Sequence, residues 1–257
     1  MAILLLDFSN LAYLSFFNSL KVHKKKPEEV DASYNGHIDS FSAKIEKLLE
    51  KLSSEQTTPV FVLDQKPIHK YALYPEYKSN RKTLPFNPKP SLLGIIRYWG
   101  WRTIYSPDME ADDAIASFVA RNFDDNKIVV VTSDKDIWQV NDHPNTSILN
   151  PVTLNFVTLD DLRESFSISN YSQIKLHKAL WGDASDAVPN SAPRMQKYLL
   201  PVINKSNGEL DDFYEKLKEE RISNRCRELL DLNKAQIHIN YELVRLQYSC
   251  KVINYQW

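Results

Sequence analysis

Nine carboxylates are spaced in this sequence as if for one shared task. Asp7, Asp64 and Asp134 each close a run rich in apolar or β-branched residues, AILLLD, TPVFVLD and KIVVVTSD. Glu110, Asp112 and Asp113 open EADDAIASFVARNF, Asp136 follows Asp134 by two, and WGDASDAVPN carries Asp183 and Asp186. A lone aspartate at a strand end is ordinarily a cap or turn residue, and acids in a first helical turn suit the helix dipole. Their coincidence points further. Like charges gathered in one place raise one another's pKa unless something positive sits between them. Hard divalent cations are the natural counterweight, because magnesium and manganese take oxygen ligands, whereas zinc calls for histidine or cysteine. In extended backbone, Asp134 and Asp136 lean to the same side with Lys135 opposite. The spacing of Asp183 and Asp186 is like that of a calcium loop, but the glycine and glutamate of an EF-hand are missing.

The elements that must position these acids follow from periodicity. Residues 2–7, 58–64, 101–106 and 127–134 read as strands, and 11–20, 39–54 and 110–123 as helices. That βαβα order predicts an α/β fold, with a mostly parallel sheet flanked by helices on both faces over residues 1–157. Ligands of open α/β sheets sit outside the carboxyl ends of the strands, where Asp7, Asp64 and Asp134 fall. From about 158 to 257 the pattern is helical, which predicts a second region packed on the first. The segment 65–90 is a proline-punctuated connection of the kind that forms a lid, a binding loop or a disordered stretch. It carries Lys66, Lys70, Lys78, Arg81, Lys82 and Lys89 against the single acid Glu76. A positive strip beside an acidic pocket suits a phosphate-backbone substrate.

Composition narrows the alternatives. A net charge of -1 argues against a generally basic nucleic-acid coat but allows segregated charge. The apolar run at residues 2–6 is too short for a signal segment or a membrane span, and no later run reaches about 18 apolar residues; a cytoplasmic protein is expected. Cys226 and Cys250 lack CxxC spacing or nearby histidines and read as free thiols. The chain has five glycines where average usage predicts roughly 18, so a glycine-rich phosphate loop is absent.

The motifs LLLDFSN (4–10), VFVLD (60–64), LYPEYKSNR (73–81), EADDAIA (110–116), TSDKDIWQV (132–140) and GDASDAVP (182–189) occur in this order. Together they resemble the 5′ nuclease family, which includes flap endonucleases, the 5′-nuclease domain of bacterial DNA polymerase I and phage 5′ to 3′ exonucleases. The compact size and divergent C-terminal half look most like phage members, of which the ribonuclease H of T-even bacteriophages is one. The resemblance implies a PIN-like core and two divalent ions, magnesium or manganese, held by Asp7, Asp64, Glu110, Asp112, Asp113, Asp134, Asp136, Asp183 and Asp186. Asp7, Asp112 and Asp134 would be catalytic through those ions. Two metals about 3.5–4 Å apart can activate water and stabilise the leaving oxygen of a phosphodiester. The resemblance also implies that 65–90 forms an arch or clamp over a single-stranded 5′ end, with Lys78 and Arg81 near the scissile phosphate and Lys70 and Lys82 on the substrate backbone.

The expected substrates are 5′ ends, flaps or RNA primers on duplex DNA, for a monomer with a replication polymerase or single-strand-binding protein as partner and no membrane association. Two departures stand out. Lys70 replaces an arginine common in relatives, and NSAPRMQKYLL follows GDASDAVP where the family has a glycine-containing turn for duplex DNA and potassium. Arg194 and Lys197 are the candidates to substitute for that turn. Rival readings are a PIN-type endoribonuclease, whose pattern lacks GDASDAVP and YPEYKSNR, and a catalytically inactive structure-specific DNA-binding protein, in which nine acids without metals would repel nucleic acid.

Overall fold

Leu4, Leu5 and Leu6 are all buried, and they face alternate sides: Leu4 and Leu6 enter one apolar cluster and Leu5 another. This is the behaviour of a strand covered on both faces. A computed structural model describes residues 2–31, 33–52 and 57–255. Within it the chain runs β1 (Ala2–Asp7), α1 (Phe8–Val22), α2 (Gly36–Lys51), β2 (Thr57–Leu63), α3 (Ile68–Leu73), α4 (Lys89–Tyr98), β3 (Arg102–Tyr105), α5 (Ala111–Asn122), β4 (Lys127–Val131) and β5 (Thr146–Leu149). It continues through α6 (Leu159–Phe166), α7 (Ile174–Trp181), α8 (Gln196–Lys205), α9 (Leu210–Glu219), α10 (Asn224–Leu232) and α11 (Lys234–Val244) to β6 (Ile253–Asn254).

The strands lie in the order β5-β4-β1-β2-β3-β6, and every pair is parallel except β3 with β6. The mostly parallel α/β sheet with a helical C-terminal half is as the sequence predicts. Chain order runs outward from β1 through β2 to β3, then returns to the other side of β1 as β4, so strand order reverses between β1 and β4. At such a switch point a crevice opens above the strand ends. Helices α1, α2 and α4 cover one face through Phe8, Leu11, Phe41, Ile45, Leu48, Leu92 and Ile96. On the other face α5 packs together with the C-terminal helices in one continuous core, which joins Leu5, Val62 and Val130 to Leu180, Leu199, Phe213 and Ile237.

Several boundaries differ from the sequence reading. The fourth strand ends at Val131, not Asp134, and Asp136 has helical backbone (φ -68°, ψ -37°) with its N–H donating to Asp134 Oδ1 at 2.9 Å. The extended reading of residues 134–136 is therefore corrected to a turn, in which the short aspartate side chain takes the backbone bond a strand partner would have taken. Lys135 does point away, reaching Ser165 Oγ at 2.9 Å. α3, α4, β5, α10 and β6 have no counterpart in that reading. The last two residues of the helix expected at 39–54, Ser53 and Ser54, lie outside the described residues. Among the described residues no helix is long and apolar enough to cross a membrane.

Candidate active site

Asp7 is the last residue of β1 and the N-cap of α1, and it accepts from Asn10 N–H at 3.1 Å and Thr132 Oγ1 at 2.9 Å. Thr132 in turn accepts from Asp134 N–H at 3.0 Å, while Asn10 and Ser133 exchange side-chain and backbone bonds of 2.9–3.1 Å. The ends of β1 and β4 are thus stitched together at the switch point. Asp64, just past β2, accepts from Ala111 N–H at 3.0 Å and so caps α5 from a neighbouring strand. That bond sets the first turn of α5, with Asp112, above the same crevice. Asp7, Asp64, Glu110, Asp112 and Asp134 line one open pocket of about 580 Å³, whose other wall holds Lys66, Lys78, Arg81 and Lys89. A larger groove, about 980 Å³ between α9, α10 and α11, contains none of the candidate residues.

The electrostatics divide the nine acids into groups. Burial, then the charge of Asp64, pushes Asp7 up to about 7. Burial, then Asp134 and Asp7, holds Asp112 well above the usual carboxylate range. Glu110 goes the other way: burial opposes its charge, but Lys70 and Lys78 overcome it and bring it down to about 2. Lys70 Nζ lies 2.7 Å from Glu110 Oε2 and 3.7 Å from Asp113 Oδ2, and Lys78 also pairs with Glu110. The Tyr77 hydroxyl sits 2.9 Å from Glu110 Oε2 and 3.0 Å from Asp186 Oδ2, and Arg81 reaches Asp186 Oδ1 at 2.5 Å. The third group is Asp136 and Asp183, both bound by Lys178. Burial raises Asp136 to about 7 against the pull of Lys178, while at Asp183 the same lysine outweighs burial and lowers the pKa.

Two motifs far apart in sequence are clipped together. Lys78 takes positive φ (59°) in a turn, and its N–H donates to Asp186 O at 2.9 Å, while the Asn80 side chain bonds to Ala184 O. The partner turn folds back on itself through Asp183 N–H to Val188 O and Val188 N–H to Asp183 O, both 2.9 Å. Gly182 permits this at φ +77°, where a Cβ would lie 2.5 Å from Val188 O. Turn and basic strip therefore reach the pocket as one unit.

Of the residues expected from sequence, Asp7, Asp64, Lys78, Arg81, Glu110, Asp112 and Asp134 line this pocket, whereas Asp136, Asp183 and Asp186 do not. Asp113 is fully buried behind the pocket, accepting from Gln247 N–H at 3.0 Å. Lys70 is 3% exposed, beneath the strip rather than in it. Lys82 is exposed beyond Arg81, and Arg194 and Lys197 stand exposed at the start of α8, outside the residues lining the pocket. Sequence reasoning does not single out Asn10, Thr132, Tyr77 or Lys178. The first three lie within or beside quoted motifs; Lys178 has no signal of its own, sharing its helix with Lys175 and His177.

Among the described residues no three histidine, cysteine, aspartate or glutamate side chains stand together as a ready cation site. Ammonium and guanidinium groups hold Glu110, Asp136, Asp183 and Asp186. The donor set nevertheless fits a hard divalent ion. Its atoms are carboxylate oxygens, and Asp7 and Asp112 carry raised pKa values because negative neighbours and burial go uncompensated.

The family model for the 5′-3′ exonuclease N-terminal, resolvase-like domain matches residues 2–175. The chain belongs to this 5′-3′ exonuclease family. It is a 5′ nuclease, a phosphodiester hydrolase, and its sequence relatives agree. Flap endonuclease Xni of Shewanella pealeana is 26% identical over 181 residues, covering 68% of this chain and 68% of that protein. The 5′-3′ exonuclease of Buchnera aphidicola is 24% identical over 260 aligned positions, covering 97% of this chain and 88% of its own. Among solved structures, zinc-bound T5 5′-exonuclease superposes with a TM-score of 0.68 at 19% identity, covering 95% of this chain and 89% of that one, a likeness of fold.

Proposed function

We propose that this nuclease uses two divalent ions, magnesium with manganese as a substitute, to cleave DNA at 5′ ends and flaps and to remove RNA primers from duplex DNA. The observation that carries the reading is the single pocket in which Asp7, Asp64, Glu110, Asp112 and Asp134 face Lys78 and Arg81. Asp7, Asp64, Asp112 and Asp134 would hold one ion, and Asp136, Asp183 and Asp186 would complete the second site with Glu110. Bound there, the ions supply a water acidified toward hydroxide and a clamp for charge on the scissile phosphate.

The chain's own groups do the rest. Asn10, Thr132 and the Ala111 amide fix the carboxylates by hydrogen bonds, so that little reorganisation is needed when substrate arrives. Arg81, half-exposed, is placed to fork onto a phosphate, and Lys78 offers a point charge deeper in the pocket. Lys82, Arg194 and Lys197 present charge to flanking backbone, with Lys70 acting from below through Glu110. A two-part organisation follows, with a catalytic part to about 157 and a helical part that completes the acid set and grips duplex. Zinc in the T5 5′-exonuclease structure and the DNA substrate in that of the Rad2 catalytic core, a relative in fold, lend support.

The test is a 5′-labelled flap, a nicked duplex and an RNA primer on DNA, each incubated with magnesium, manganese or chelator. Short 5′ products with metal and none with chelator are expected. Cleavage that survives chelation overturns the metal reading, and cleavage of RNA away from any duplex favours a PIN-type endoribonuclease.

A further inference from the structure

Lys178 is a largely enclosed cation to which the reaction above gives no task. Its side chain is 13% exposed, its Nζ lies 2.6 Å from Asp183 Oδ2, and it also contacts Asp136 Oδ1. Those two carboxylates are themselves 15% and 11% exposed, so solvent screens the triad little. Unlike Lys78 and Arg81, Lys178 is not among the residues lining the acidic pocket, so it does not meet the substrate there. Its backbone is held as well: Gly182 N–H closes on Lys178 O at 2.7 Å, which ties the lysine to the turn that carries Asp183.

Charge decides what such a lysine does. With both carboxylates ionised, the pair carries one net negative charge when the ammonium is in place and two without it. A divalent ion entering this pair must share or displace the ammonium, and the attraction between full charges in a weakly screened place is steep. We propose that Lys178 is a tethered counter-cation of the Asp136–Asp183 pair, which weakens that pair's hold on a divalent ion while leaving the Asp7–Asp64–Asp112–Asp134 group untouched. The inference rests on the two-ion reading. It makes the two ion sites unequal by construction, one open and strongly attractive, the other already neutralised in part. The pair keeps its shape without a metal because the lysine holds it.

The experiment is calorimetric titration of manganese into metal-stripped full-length protein, for wild type, Lys178→Met and Lys178→Gln. Glutamine keeps a hydrogen-bonding end without the charge and carries the test if the methionine variant does not fold. Expected are two classes of site in wild type, of which the weaker tightens at least tenfold in the variants while the tighter moves less than twofold. The variants should also unfold at lower temperature than wild type in chelator, and recover with manganese. An unchanged or weakened second site in a folded variant overturns the proposal. Wild type that takes up no manganese overturns the two-ion reading itself, and this inference with it.

Discussion

Burial and neighbouring acids oppose charge on Asp112 and Asp7, so substitution there is expected to move stability and cleavage in opposite directions. A carboxylate whose folded pKa is raised opposes folding once pH exceeds its unfolded value near 3.8, because the folded protein then holds a proton more tightly than the unfolded chain. Asp112→Asn should therefore stabilise the metal-free protein at neutral pH while abolishing cleavage in magnesium. Asp134→Asn should also abolish cleavage. Melting in chelator and a labelled-flap assay check both, and retained cleavage sinks the catalytic assignment. Lys78→Ala and Arg81→Ala should slow single-turnover cleavage by about tenfold or more, roughly 1.4 kcal/mol of transition-state stabilisation, with a smaller loss of duplex binding at fixed salt. Equal losses would reduce the two residues to phosphate anchors. The acids were legible in the sequence only together, because each alone reads as a cap or turn residue and their coincidence on one sheet edge is what points to a shared site. Their partners were not, because Lys178 meets Asp136 only once α7 has packed against the 3-10 turn Ile137–Asp142.

Element boundaries were legible where a long apolar period bore on them and illegible where pairing came from afar. β1, α1 and α5 follow their patterns closely, whereas β6 is two residues long and exists because β3 needs a neighbour. The turn after α7 is the element whose geometry matters most. Gly182→Ala should strain it by about 1–3 kcal/mol and depress cleavage further than that loss of stability explains, since Asp183 and Asp186 would be displaced; equal melting and cleavage to wild type would show that the turn can relax. The next turn lacks the family's glycines, and its Ser191 and Ala192 N–H groups both bond inward to Leu180 O at 2.9 Å. Those amides are not free for phosphate. Duplex binding by the metal-free protein should then depend on total salt without preferring potassium to sodium, and Arg194→Ala or Lys197→Ala should flatten the slope of log affinity against log salt by about 0.9. A clear potassium preference would reveal the family's turn in another guise.

At the scale of the whole molecule, the segment after α11 binds α5 from behind. Asp113 accepts from Gln247 N–H, Ser117 Oγ donates to Gln247 O at 2.7 Å, and Cys250 N–H donates to Ser117 Oγ at 2.9 Å. Ser117→Ala should cost about 1–3 kcal/mol by stranding these groups, and hydrogen exchange at Cys250 should accelerate; unchanged exchange would show that the segment is held by its apolar contacts alone. Each of these bonds spans 130 or more residues of chain. During synthesis, α5 with its carboxylates leaves the ribosome long before residues 247–254 exist to secure it. A half-made chain can pair β1 with β2 but cannot lock the helix that bears Asp112. Cutting competence is therefore expected only once residues 247–254 have been made and have docked on α5.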